Sequence, residues 1–278
     1  MNRRTGSTRR PRRGKARRTT SELPDLRRWV RQVREARGLT RAEAAGRLQV
    51  SEDLIKKIER GERSASPTVR EQFITGLGMN ESQARYTREL AGPPLPLPSI
   101  EELRARPVAC EHHTTLRRLD ERGLVGAYLD PLWNVVYASE RFRSVLPELA
   151  DYDDNLSQWF FHPGTTTLTA EALLVHWDAA ATYMVASLRA KFGIYRHSPR
   201  ARTLHEKLSA ATTFRQRWTD SIEVAYGHKT VHPLQVRDRD TGEQRTIRIH
   251  LGVGAEGPPD LRFCFVYPDP CEPPSSDT

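Results

Sequence analysis

Cysteine is scarce in this 278-residue chain. Only Cys110, Cys264 and Cys271 occur, odd in number and without a CxxC pair, so a disulfide framework is not expected and a reducing compartment is. Long apolar runs are missing too: mean hydropathy is −0.66 and no eighteen-residue apolar stretch exists, which argues against a membrane-spanning helix. The first twenty residues contain no acid, and no apolar segment follows their charges as a secretion signal would need. A cytoplasmic protein with no membrane partner is the expectation.

Catalytic signatures are also lacking. There is no GxSxG, HExxH or P-loop, and the carboxylates form no recognisable acid–base pair, so an enzyme is not expected. Gly252, Gly254 and Gly257 spell GxGxxG, but Pro258-Pro259 and another strand-like run follow. A dinucleotide site needs a helix N-terminus there, so the segment reads as a hairpin loop. Cys110, His112 and His113 lie close together, yet no second cluster at ligand spacing completes a zinc site.

What is abundant is positive charge, and it is concentrated. Net charge is +9, and residues 1 to 20 hold nine of the 44 basic residues, leaving 35 against the 35 acids. Such a segment cannot bury enough surface to order itself, so residues 1–22 read as a disordered basic tail. It suits phosphate binding through counterion release, with a plain solubility arm as the simpler alternative.

The length allows two domains. Residues 23–92 are helical in pattern. Leu26, Trp29, Val30 and Val33 form an apolar stripe ended by Gly38. Thr40 to Glu43 form a capping box that starts a second helix at Arg41. Ser51 caps a third helix, with Ile55 and Ile58 inward and Gly61 ending it. Ser66-Pro67 opens a fourth, stopped at Gly78, and Asn80 a fifth. The expectation is an all-α five-helix domain.

AGPPLPLPS then begins a proline-rich linker and connecting segment over 93–120. Residues 121–268 change grammar: a hairpin turns at Asp130-Pro131, helices follow at about 139–146, 168–192, 199–209 and 213–226, and strands at 229–237, 244–251 and 261–267. Strands at both ends around helices give an α+β domain with an antiparallel sheet. Residues 269–278 read as a disordered tail.

Gln49-Val50-Ser51 leaves room only for a tight corner between the second and third helices, the geometry that lets a third helix enter a major groove. LTRAEAAGRLQVSEDLIKKIERGER resembles the LSQxELAxxLGVSxxxIxxIERG signature of Xre/Cro-type regulators. That resemblance implies that Ser51, Glu52, Asp53 and Lys57 face base edges or flanking phosphate, and that Glu59 pairs with Arg34. It places Arg41 where the family often has a phosphate-contacting Gln. Two acids at the start of a reading helix are unusual. They complement the helix dipole and can accept from cytosine N4, provided that Arg41, Lys56, Lys57, Arg60, Arg63 and the tail neutralise phosphate. With Thr40, these residues are the candidate interface with double-stranded DNA. The alternative is a protein-interaction adaptor whose helix-turn-helix no longer reads DNA, and a homodimer is expected because one reading helix covers a half-site.

The landmarks MNESQARYTRELAG, LVGAYLDPLWNVVYASERF, NLSQWFFHPG, WDAAATYMVASLRAKFG, FRQRW and the late VHP look like those of MmyB-like transcriptional regulators. The resemblance implies an Xre-type module joined to a PAS-like domain that holds a fatty acid or similar lipid; no other cofactor and no metal is expected. Trp133, Trp159, Phe160, Trp177, Phe214 and Trp218 are candidate walls for such an apolar ligand, with His232 near its head group. Rings at these spacings are also what an ordinary core requires.

Overall fold

The computed structural model describes residues 23–162, 169–227, 233–239, 241–252 and 260–268. The expected basic and C-terminal tails and the candidate His232 lie outside these residues, as does most of the glycine-rich loop.

The N-terminal module follows its caps. Helix α1 (Leu26–Ala36) is capped by Asp25 and buries Trp29, Val30 and Val33. Helix α2 (Arg41–Leu48) opens on the expected box, with Glu43 N donating to Thr40 Oγ1 at 3.2 Å and Thr40 N donating to Glu43 Oε2 at 2.7 Å. At the corner, Gln49 takes a left-handed φ of 54°, a conformation that costs a non-glycine residue energy and persists where packing enforces it. Ser51 caps α3 (Glu52–Arg60), whose exit at Gly61 has φ 77°. Helices α4 (Pro67–Gly76) and α5 (Glu81–Ala91) complete the five. Their core gathers Trp29, Val30, Val33, Leu48, Ile55, Ile58, Phe73 and Tyr86. Burying each aliphatic or aromatic side chain of this kind contributes roughly 1.5–3 kcal/mol.

Residues 93–120 are more structured than the linker expectation allowed. The proline stretch is pinned: Leu95 N donates to Ile194 O at 2.9 Å, and Arg196 and Arg200 reach the carbonyls of Gly92 and Pro98. Two helices follow, α6 (Ile100–Arg104), with a Ser99/Glu102 capping box, and α7 (Ala109–Glu121). Leu116 is the one fully buried residue of α7, too little apolar signal to read as a helix from pattern alone.

The second domain is built on a five-stranded antiparallel sheet. Its strands are β1 (Val125–Leu129), β2 (Val135–Ala138), β3 (Leu234–Arg237), β4 (Gln244–Gly252) and β5 (Arg262–Pro268), in the order β2-β1-β5-β4-β3. The β1–β2 hairpin turns at Asp130-Pro131 as expected, and buried Asp130 accepts from Leu132 N and Asn134 N through Oδ1. Register alternation separates two faces. Val125, Ala127, Cys264, Ile249 and Leu251 belong to the main core, while Tyr128, Tyr137 and Phe263 pack with Leu116 and Leu119 of α7.

The main core is closed by α8 (Glu140–Val145), α9 (Leu156–Phe161), α10 (Ala170–Leu173), α11 (Trp177–Ile194), α12 (Pro199–Ala210) and α13 (Thr212–Asp220). Two helical expectations are corrected. The helix expected over 168–192 is two, because Leu174 bridges Val236 and Val175 N donates to Gln235 O at 3.0 Å. That expected over 213–226 stops at Asp220, and residues 221–226 leave helical geometry for contacts described below. Helix α9 and a 3₁₀ turn at Pro147–Tyr152 were not anticipated; each is six residues, too short to display a period.

The two domains share a seam. Ala190 of α11 and Val224 belong to the core cluster of the N-terminal module. Gly193 lets Tyr86 lie against α11: a Cβ at 193 would sit 2.3 Å from Tyr86 Cε2.

Candidate functional site

Helix α3 packs mainly on α2 and α1. Ile55, Ile58 and Glu59 are buried, which turns Ser51, Glu52, Asp53, Lys57 and Arg60 outward and exposed. Thr40 and Arg63 are also exposed, and Arg41 and Lys56 half-buried. The candidate DNA-facing residues therefore lie on the accessible part of one module. Two of them are caps: Ser51 Oγ accepts from Leu54 N at 3.2 Å, and Thr40 serves α2.

Charge on this surface is arranged in pairs. Lys57 Nζ lies 2.7 Å from Asp53 Oδ2, one turn away, and its hydrogen bond holds the Asp53 carboxyl below the usual range. Glu52 and Asp53 occupy the first turn, where the helix dipole favours negative charge, while Lys57 and Arg60 stand in the last. Behind the surface, buried Glu59 accepts from Arg34 Nε at 2.6 Å, Arg34 Nη2 at 3.1 Å and Arg41 Nε at 2.8 Å. The Arg34–Glu59 pair is the one that the Xre/Cro resemblance implied. Arg41, expected to touch phosphate, is tied by Nε to the same carboxylate; its side chain is 34% exposed.

The aromatic candidates of the second domain are brought together as packed rings. Phe160 stacks on Trp177 with centroids 5.7 Å apart, Phe214 stacks on Trp218 at 5.6 Å, and Phe161 meets both groups edge-on. Trp133 stands under a different partner, with the Arg262 guanidinium carbon 4.6 Å from its ring centroid. The indole nitrogens of Trp133, Trp159 and Trp177 are buried without acceptors. An open cleft of about 390 Å³ is lined by Glu171, Leu174, His176, Trp177, Asp178 and Arg237; of the ring candidates only Trp177 reaches it. Among the described residues no cluster of three or more His, Cys, Asp or Glu could hold a metal ion, and the His112 ring lies tilted against Tyr128 with centroids 4.1 Å apart. No described helix is long and apolar enough to cross a membrane.

Several residues at the junction were not foreseen. Gln32 Nε2 lies 3.1–3.2 Å from the carbonyls of Trp218, Thr219 and Ser221, Gln83 Nε2 donates to Ile222 O at 3.0 Å, and Tyr226 OH donates to Glu89. The segment 218–226 thus lies across α1 and α5. From its own domain it is held by Arg189, which is buried and donates to Trp218 O at 2.6 Å and Glu223 O at 2.7 Å. Burial pushes the Arg189 guanidinium down to about 10, leaving it charged at neutral pH. A readable signal existed: an Arg in the middle of an otherwise apolar, small-residue stretch of α11 must find partners or cost the fold several kcal/mol.

An exposed reading helix on a five-helix module, joined to an α+β domain with a large apolar core, defines a DNA-binding transcription regulator with a ligand-binding domain. Comparison with family models agrees: a helix-turn-helix domain model matches residues 25–86, and the model for the MmyB-like transcription regulator ligand binding domain matches 113–276. The second match spans more than half of the chain, and the chain belongs to the MmyB-like transcription regulators. Neither family model describes an enzyme. No curated protein matches the chain.

Proposed function

We propose that this protein binds operator DNA sequence-specifically as a homodimer, with α3 in the major groove, and that its second domain senses a small apolar ligand of the fatty-acid or related lipid kind. The observation that carries the DNA reading is the outward face of α3. Lys57 and Arg60 are exposed on it and flanked by Thr40, Arg41, Lys56 and Arg63, with no element of the larger domain among its main packing partners. Phosphate contacts from these cations set register, and Glu52 and Asp53 read cytosine amino groups. Two half-sites about one helical turn apart follow from a two-fold dimer.

The segment 218–226 supports the sensing half of the proposal. It begins at Trp218, a member of the aromatic cluster, and next to its far end Tyr183 OH donates to Gly227 O at 2.9 Å. Between those ends it contacts the DNA-binding module. A ligand that binds one arrangement of this segment more tightly than another shifts the operator-binding population by that difference and no more.

The test is a gel shift with the protein's own upstream region against random duplex over a salt series. Preference for the upstream fragment, lost on Lys57→Ala with the circular dichroism spectrum unchanged, is the expected result. Equal binding to both duplexes at every salt concentration, together with a stable protein partner on pull-down, selects the adaptor reading instead.

A further inference from the structure

The cations expected to face DNA are not equivalent. Lys57 is engaged by Asp53 at 2.7 Å, and Arg60 lies 3.7 Å from Glu62. Lys56 and Arg63 form neither an ion pair nor a side-chain hydrogen bond among the described residues. Arg41 differs from all four. Its Nε donates to a carboxylate that is 1% exposed, while its own side chain stays partly open to solvent. Neither of its terminal nitrogens has an acceptor among the described residues.

That carboxylate is Glu59, and it serves two guanidinium groups with one charge. Arg34 is fully engaged, with Nε and Nη2 on Glu59 and Nη1 on Leu39 O at 2.7 Å. Glu35, the other acid beside Arg34 at 3.5 Å, is committed to Arg31 at 2.8 Å. Arg34 and Glu59 therefore neutralise each other inside the module, and the positive charge left over is that of Arg41, at the first position of α2. Thr40 beside it is no substitute, because its N and Oγ1 both donate to Glu43 at 2.7 Å.

A guanidinium is planar, so fixing Nε against a buried partner also sets the direction of the other two nitrogens. A free surface cation gives up rotamer freedom when it meets a phosphate, and a side chain already held in place gives up less. We propose that Glu59 is a positioning residue for DNA binding: from inside the module it holds Arg41 by one nitrogen and presents the other two as a preset clamp on a backbone phosphate. Two parallel donors of this kind match two oxygens of one phosphate. The assignment rests on the N-terminal module being a DNA binder, and it gives the firmest phosphate contact to the start of α2, not to Lys57 on α3. Such a contact carries no base information, so it adds affinity on every sequence while fixing the orientation in which α3 meets the groove.

The experiment is fluorescence anisotropy of the full-length chain on two duplexes of equal length, the upstream fragment and a random sequence, over a salt series. Arg41→Gln should weaken both about tenfold, the loss of a charge-assisted pair, and lower the slope of log K against log salt by about 0.9. Arg41→Lys keeps the charge and loses the fork, so it should recover only a small part of that loss. Recovery to wild-type affinity overturns the positioning role, because charge alone would then suffice. Glu59→Gln should weaken binding in the wild-type chain and have no further effect in the Arg41→Gln chain, a non-additivity that a purely structural acid would not produce. Additive losses overturn the proposal. If Glu59→Gln does not fold because Arg34 loses its counter-charge, the comparison of Arg41→Lys with Arg41→Gln decides. A loss confined to the upstream fragment overturns the phosphate assignment, since it would make Arg41 a base reader. Equal wild-type binding to both duplexes removes sequence-specific reading without touching the clamp, which the Arg41 variants still test on the random duplex; no binding to either overturns both.

Discussion

Arg189 holds Trp218 twice: its guanidinium carbon sits 4.8 Å from the indole centroid, and its Nη2 donates to the carbonyl of the same residue. Ring and backbone are thus fixed by one side chain that also reaches Glu223 O. Arg189→Met should leave two carbonyls short of a donor and cost about 3 kcal/mol in urea unfolding. Arg189→Lys should not restore it, since an ammonium lacks the planar fork that stacks and donates at once. A loss below about 0.5 kcal/mol would show that the junction does not depend on this residue.

Gly193→Ala tests the domain seam by sign. A helical glycine replaced by alanine ordinarily gains about 1 kcal/mol. Here the new methyl would meet Tyr86 Cε2 at 2.3 Å, so the expected result is a loss of about 1–3 kcal/mol from overpacking. Faster proteolysis between the domains should accompany it, and truncation of Tyr86 in the same chain should restore part of the loss. A stabilised Gly193→Ala protein would mean that the seam opens freely in solution.

His205 predicts the acid side of the stability curve. It is buried among the rings of Phe192, Phe214 and Trp218, and burial, then the charge of Arg189, push it down to about 4. Its folded value lies below the unfolded value of about 6.5, so the stabilisation is complete above that pH and is lost as pH falls from about 6.5 toward 4. The total is about 3 kcal/mol by linkage. Urea titrations at pH 7, 6 and 5 should show the decline, and His205→Phe should flatten it; an unchanged slope in that variant would assign the acid sensitivity elsewhere.

Asp53→Asn separates the two uses of the first-turn acids. The substitution frees Lys57 from its ion pair and removes a negative charge from the DNA-facing surface. Affinity for random duplex should rise, and the slope of log K against log salt should steepen by up to about one unit. Preference for the upstream fragment should fall if Asp53 reads a base. Unchanged preference with raised affinity would make Asp53 only a dipole complement and a brake on non-specific binding.

The N-terminal module was legible because each of its helices is announced locally: Thr40 with Glu43, Ser51 with Gly61, Ser66 before Pro67. The Arg34–Glu59 pair came from motif resemblance, not from spacing. Helices α6 and α7 were hidden because their buried residues are few and their partner surface is a sheet distant in sequence. The stop at Asp220 was hidden for a related reason: Ser221 to Tyr226 find their hydrogen bonds on Arg189 of another helix and on Gln32, Gln83 and Glu89, and no local pattern records three partners more than a hundred residues away.

Gln32 and Arg34 stand two residues apart on α1. One grips three carbonyls of the second domain, and the other holds Glu59 at the back of α3. The helix thus works as a short axle with a bearing at each side, and less than one turn of backbone separates what touches the sensor from what touches the reading helix. A tilt imposed at the first bearing reaches the second without crossing the proline segment, so lengthening or stiffening that segment should leave any communication between the halves intact.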